Sequence, residues 1–317
     1  MSSVQQTTCA AKGGCKVIID FHTHVGDFRS RLSDQPRPVT FDGIVQRLDE
    51  EGIDAAVLLP VYASPEAIYP SFILEEHMSV RDQVLRAAQY RDRILPFGNL
   101  DPRWAGNSPN GDFSAYLDWF ASQHCLGIGE ITANMPLDDE RVINLFRQIG
   151  VRGWPVVMHV TGFGLGSYGL QDEPGAPRLE RLLRACPDTP IVGHGPGFWA
   201  EIGPLPEAAA KSGYPTGPIS QEGALPRLLR ECPNLYADIS AHSGYNALTR
   251  DQGYGPQFLE EFQDRLLFGT DVSFSGEAGR MPHLGYLRRL LGEGSLSTEA
   301  FEKITGANAI RLLRLPA

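Results

Sequence analysis

The chain has 317 residues, 42% apolar and 21% charged, with a formal net charge of -10 and a pI near 5.3. An acidic balance argues against a nucleic-acid partner, whose phosphates need a basic face, and against docking on anionic lipid by charge alone. No stretch reaches the roughly 20 continuous apolar residues of a membrane span, so the expectation is a cytoplasmic protein; its expected partners are a small-molecule substrate and, at most, a second copy of the chain in a homodimer. The five cysteines, at 9, 15, 125, 186 and 232, include no CxxC pair and are expected as reduced thiols.

Residues 1–16 lack the apolar segment of a secretory signal and are read as a flexible N-terminal tail before one domain, 17–317. That domain opens with the apolar strand VIIDF (17–21), followed by a helix that Thr40 caps and Gly52 ends. Strand AAVLLP (55–60) precedes an amphipathic stretch over 74–91, and ILPFGN (94–99) precedes another over 113–124. LGIGEI (126–131), VVMHV (156–160) and PIVGHG (190–195) follow, separated by helical patterns at 138–150 and 176–186. LYADIS (235–240) and LLFGTD (266–271) come after helical stretches at 223–232 and 255–265, and helices over 281–292 and 297–315 close the chain. Eight strands alternating with helices predict a closed (β/α)8 TIM barrel, an α/β fold of roughly 250 residues plus insertions. The Pro/Gly-rich stretches at 101–112, 161–177, 196–220 and 272–282 all follow strands, which puts them at the catalytic face as extended loops.

Chemistry gathers at the strand ends. His22 and His24 lie two apart at the end of the first strand, so a period of two points both to one side, where they can grip one cation. By the same period Asp20 points that way one layer deeper, placed to accept a proton from a ligand histidine or to orient a neighbour. Glu130, His159, His194 and Asp271 stand at the ends of four later strands, each where an apolar run meets a glycine-rich loop. Burying six such groups at one end of a barrel without a shared purpose would be costly.

The segments IDFHTHVG, VVMHVTG, IVGHGPG and LLFGTDVSF, with the closing ITGANAIRLL, resemble the amidohydrolase superfamily, in its amidohydrolase-related branch, over roughly residues 17–315. That branch holds metal-dependent hydrolases, lactonases and non-oxidative decarboxylases. The resemblance implies His22, His24, His159 and Asp271 as metal ligands, and His194 as a second-metal ligand or a catalytic acid/base. Glu130 falls where binuclear members carry a bridging carboxylated Lys or a Glu. No Lys stands on that strand, so a carbamate bridge is in doubt; Glu130 is carried as a metal ligand, its alternatives being a carboxylate that orients a ligand from behind or a salt bridge to Arg152. One or two divalent ions are expected, zinc foremost, with manganese, iron or cobalt suiting the same mixed donors. The implied reaction is cleavage of an amide, ester or lactone by metal-activated water, with Asp271 and His194 as catalytic groups; the alternative is decarboxylation of a small, perhaps aromatic, acid.

Substrate contacts are expected from Arg29, Arg103, Tyr168, Trp199, His242 and Tyr245 on the catalytic-face loops, Arg31 and Arg37 being further arginines after the first strand. His77 and His124 fall on outer helices and are read as surface residues.

Overall fold

The computed structural model describes residues 17–26, 29–30, 38–61, 72–73, 79–164, 168–205, 207–276 and 280–316. The tail 1–16 with Cys9 and Cys15, together with Arg31, Arg37 and His77, lies outside the described residues, and of Arg29 only the backbone is described.

All eight expected strands form: β1 (Ile19–Thr23), β2 (Ala55–Leu58), β3 (Ile94–Pro96), β4 (Ile128–Ile131), β5 (Val156–Thr161), β6 (Ile191–His194), β7 (Leu235–Asp238) and β8 (Leu266–Leu267). Each pairs in parallel with its neighbours, β1-β2-β3 in one sheet and β4-β5-β6-β7-β8 in another. Parallel bridges Gly98↔Ile128 and Thr23↔Val272 join the two sheets at both seams. At the second seam Phe21 N donates to Phe268 O and Asp271 N to His22 O, each at 2.8 Å. The result is the TIM barrel expected from the alternation.

The barrel interior follows from side-chain alternation. Ile19, Phe21, Val57, Phe97, Val157, Val192 and Leu267 form an apolar layer, sealed at the floor by Ala309, Leu312 and Leu313 of the helix Asn308–Leu313. Outside, the helices bury one face each. Thr40 caps Phe41–Glu51 by accepting from Gly43 N, and Gly52 ends it at φ 67°, which turns Ile44 and Leu48 onto the sheet.

Of the helix expected over 74–91, residues 74–78 lie outside the described residues, and Ser79, accepting from Asp82 N, caps the helix that begins at Val80. Two elements depart from expectation. The closing helix is divided: Thr298–Glu302, a π turn Lys303–Ala307, then Asn308–Leu313. Gly306 in that turn lies so close to β1 that a Cβ would stand 1.9 Å from Val17 O. The catalytic-face loop expected after β7 is instead a helix, Ala241–Thr249. Its Ser, Gly and Asn are weak helix formers, and tertiary contact carries it: Gly244 packs flush on the Ile239 backbone. Among the described residues, no helix is long and apolar enough to cross a membrane.

Candidate metal centre

The C-terminal ends of β1, β4, β5, β6, β7 and the segment after β8 converge on one buried cluster. His22, His159, His194 and Asp238 are at most 2% exposed, and His24 and Glu130 at most 5%. On β5, β6 and β7 simple alternation lifts the site from the apolar layer: Val157 to His159, Val192 to His194, Tyr236 to Asp238. His159 and His194 are register partners on adjacent strands.

β1 breaks this rule. Phe21 belongs to the apolar layer, yet His22 points into the mouth, because the β1–β2 register shifts between Asp20 and Thr23. Asp20 is therefore not one layer below the histidines, as its spacing predicted. Its Oδ2 accepts from Arg47 Nη2 at 2.7 Å and Thr270 Oγ1 at 2.6 Å, and its Oδ1 from Thr270 N at 2.9 Å. It ties β1 to the end of β8 instead of orienting an imidazole.

Each β1 histidine is tethered through Nδ1, His22 to Asp238 Oδ2 at 2.5 Å and His24 to Leu59 O at 2.8 Å. Those bonds hold each ring by its Nδ1 and turn the two Nε2 atoms toward one another. The two Nε2 atoms stand 2.9 Å apart. Asp271 Oδ1 lies 3.1 Å from His24 Nε2 and 3.6 Å from His22 Nε2, while Glu130 Oε2 lies 3.7 and 3.8 Å from the same atoms. These five separations, 2.9 to 3.8 Å, scatter around the edge of about 3.4 Å of a tetrahedron with bonds of about 2.1 Å, as donors of a nitrogen/oxygen zinc site do. The residues fit a divalent cation. The other Glu130 oxygen, Oε1, faces His159 Nδ1 at 2.7 Å and His194 Nε2 at 3.7 Å, so Glu130, His159 and His194 form a second donor group beside the first.

Charge explains the protonation of the cluster. Burial works against ionising Glu130, Asp238 and Asp271, but the surrounding imidazoles outweigh it and hold all three carboxyls below their usual range. Burial likewise opposes a charged His194, yet its bond to Asp238, with the fields of Glu130 and Asp271, raises it to about 9. At His159 burial prevails and lowers the ring. With 22% of its side chain exposed, Asp271 is the member that faces solvent. Its φ of 58° is uncommon for a residue with a side chain, and a bond from its N–H to His22 O holds it there.

Asp238 did not figure among the sequence-derived candidates. Its Oδ2 serves His22 Nδ1 at 2.5 Å, His194 Nδ1 at 3.2 Å and Ser240 Oγ at 2.9 Å. Room for it comes from Gly269, where a Cβ would fall 2.8 Å from Asp238 Oδ1 and 3.0 Å from His22 Cβ. Its place two residues past Tyr236 on LYADIS was the signal.

The expected substrate residues divide. Tyr168 stacks on the His159 ring, centroids 3.9 Å apart, at the site itself. Trp199 is core: it is 1% exposed and its Nε1 donates to Asp238 O at 2.8 Å. Arg103 folds back on Asp101 through Nε at 2.7 Å and Nη2 at 2.5 Å. Tyr245 packs edge-on against His283 and Tyr286, and His242 is exposed on the same helix. Arg152 pairs with Asp118, not Glu130, and His124 is exposed as expected.

A sequence model described as amidohydrolase matches residues 19–315. No curated protein matches the chain. Among solved structures, an uncharacterised TIM-barrel protein from Bordetella bronchiseptica is 18% identical with a TM-score of 0.62, covering 94% of this chain and 98% of its own. An amidohydrolase from Burkholderia multivorans, with bound zinc, is 14% identical with a TM-score of 0.58, covering 95% and 100%. The 5-carboxyvanillate decarboxylase of Sphingomonas paucimobilis is 12% identical with a TM-score of 0.55, covering 95% and 100%.

Proposed function

This chain belongs to the amidohydrolase family, and on that footing we propose that it is a metal-dependent hydrolase cleaving an amide, ester or lactone bond of a small molecule. The observation that carries the reading is the convergence of two Nε2 atoms 2.9 Å apart, each ring tied back through Nδ1, with the Asp271 carboxylate 3.1 Å from one of them. His22, His24, Glu130 and Asp271 would hold a divalent cation, zinc foremost, with His159 and His194 around the other oxygen of Glu130 offering a place for a second. When bound, such a cation acidifies a coordinated water and polarises the substrate's carbonyl oxygen. Asp271, on the solvent side, takes the proton of the attacking water and delivers it to the leaving group. His194, charged at neutral pH through Asp238, donates a hydrogen bond to the carbonyl oxygen as negative charge builds there. The three described cysteines are buried free thiols, in keeping with a cytoplasmic setting.

Decarboxylation is the second reading, favoured by the same protonated His194: a proton held beside the metal ligands could be delivered to the carbon that loses CO2. Elemental analysis of the purified protein, followed by assay on lactones, esters, amides and hydroxybenzoates, separates the readings. We expect His22→Ala to lose both metal and turnover. Asp271→Asn should keep most of the metal while kcat falls roughly 100- to 10,000-fold. Activity that survives complete chelation would overturn the metal-dependent reading, and CO2 release without hydrolysis would select the second.

A further inference from the structure

The helix Ala241–Thr249 starts on a serine that does not cap it. At the position of Ser240 a serine hydroxyl ordinarily accepts from an N–H of the first helical turn, yet here it makes no such bond. The side chain turns back to the metal centre instead. Ser240 Oγ donates to Asp238 Oδ2 at 2.9 Å and lies 3.1 Å from His194 Nδ1, while Ser240 N donates to Asp238 Oδ1 at 2.9 Å. An ionised carboxylate only accepts, so the single hydroxyl proton goes to Asp238 and the lone pairs of the oxygen face His194. The helix is left without its cap, and the serine, fully buried, serves two groups of the site.

The next residue shows what holds this arrangement. The chain turns at Ala241 through φ 59°, a left-handed conformation that is unfavourable for a residue with a Cβ. Two bonds fix the corner: Ala241 N donates to Thr270 O at 3.3 Å, and His283 Nε2 donates to Ala241 O at 2.9 Å. His283 opens the helix His283–Glu293 and is 1% exposed. Burial lowers its ring to about 4, so it is neutral at neutral pH. Its Nδ1 has no hydrogen-bond partner among the described residues. Tyr245 packs edge-on against the ring, centroids 5.4 Å apart, and Tyr286 Oη donates to Leu248 O at 2.9 Å, which joins the same two helices a second time. A neutral imidazole buried with one nitrogen unsatisfied is a poor way to stabilise a helix contact that an apolar side chain could fill. What distinguishes it is the bond to Ala241.

We propose that His283 is a positioning residue for the metal centre: by fixing the carbonyl of Ala241 it holds the corner that keeps the Ser240 hydroxyl on Asp238 and against His194. Without that bond the corner would relax and the serine would turn to cap its own helix. Asp238 would then lose two donors, and His194 would keep only the Asp238 contact of 3.2 Å at its Nδ1. Its Nε2, 3.7 Å from Glu130 Oε1 and 3.7 Å from Asp271 Oδ2, would no longer be aimed at the donor cluster. The effect on metal rests on the metal-centre reading above; the geometry of Ser240, Asp238 and His194 stands without it.

The test compares the full chain with His283→Gln, His283→Asn and Ser240→Ala. A glutamine amide reaches as far as Nε2 and keeps the bond to Ala241; an asparagine amide stops where Nδ1 stood and loses it. Ring-nitrogen NMR of the metal-free proteins, labelled at histidine, reads the first effect. His283→Asn and Ser240→Ala should shift the His194 ring signals and leave those of His24, which is tied to Leu59 O, in place. His283→Gln should shift neither. Zinc affinity, by competition with a chromophoric chelator, reads the second: about ten-fold weaker in His283→Asn and Ser240→Ala, near wild type in His283→Gln. Because both act along one path, His283→Asn/Ser240→Ala should bind zinc no more weakly than the worse single variant. Unmoved His194 signals in folded His283→Asn, equal effects of Asn and Gln, or losses that add in the double variant overturn the inference. A wild type that takes up no zinc defeats the metal-centre reading, and the ring signals then decide the inference alone. If His283→Asn does not fold, shifted His194 signals in His283→Gln, or none in Ser240→Ala, overturn it.

Discussion

At Asp238 one carboxylate oxygen orients two imidazoles, so a change there reaches both His22 and His194 without touching a metal donor atom. Asp238→Asn keeps the volume but removes the charge and one acceptor. Metal affinity should fall about 10- to 100-fold, measured by competition with a chromophoric chelator, while urea stability changes far less. Unchanged affinity would mean that the histidines are oriented by their strands alone. The acid side of the same network gives a pH dependence. In the metal-free protein His194 is raised to about 9, so its proton must leave before that ring can help hold a second ion beside the one on His22 and His24. Binding of the second ion should therefore tighten by about ten-fold per pH unit between pH 7 and 9 and level off above, where the ring is already neutral. A flat profile across that range would remove His194 from the second ion's surroundings. Among these residues, legibility followed regularity. His159 and His194 were readable because β5 and β6 alternate without interruption, and Asp238 obeys the same rule on β7. Asp20 was misplaced because a register shift, which spacing does not reveal, lies between it and the histidines.

The elements were read well where local and tertiary demands agree. Thr40, Asp139 and Ser297 each precede a helix and each accept from its first turn. Ala241–Thr249 was missed because its residues prefer loops, and tertiary contacts, Gly244 on Ile239 and Tyr245 on His283 and Tyr286 among them, make a helix of them. The closing helix was expected, but not its use as a floor. Leu312 and Leu313 are 8% and 5% exposed against the interior apolar layer. Leu313→Ala should cost about 2–4 kcal/mol of stability in urea unfolding and leave metal stoichiometry intact, since the site lies at the other end of the barrel. Loss of metal at full folding would show that floor and mouth are coupled.

For the molecule as a whole, apolar layer and metal centre are separate tiers of one barrel, and they should fail separately. Chelation should abolish turnover yet leave far-UV dichroism unchanged, because the apolar layer, the strand ladder and the helices contain no metal donor. Stability should drop only by the linkage contribution, about 4 kcal/mol at a thousand-fold excess of free metal over its Kd. Unfolding on chelation would instead make the metal a structural one.

The seam between β1 and the end of β8 has a consequence for how the polypeptide reaches this state. Asp20, near the start of the described chain, must find Thr270, and Val17 must find Gly306, before the floor can close. During synthesis β1 can pair with β2 early, but its other edge waits until residues 266–306 have been made. Ring closure between such distant segments is slow, which makes chaperone dependence and low-temperature expression the practical concerns for anyone producing this enzyme.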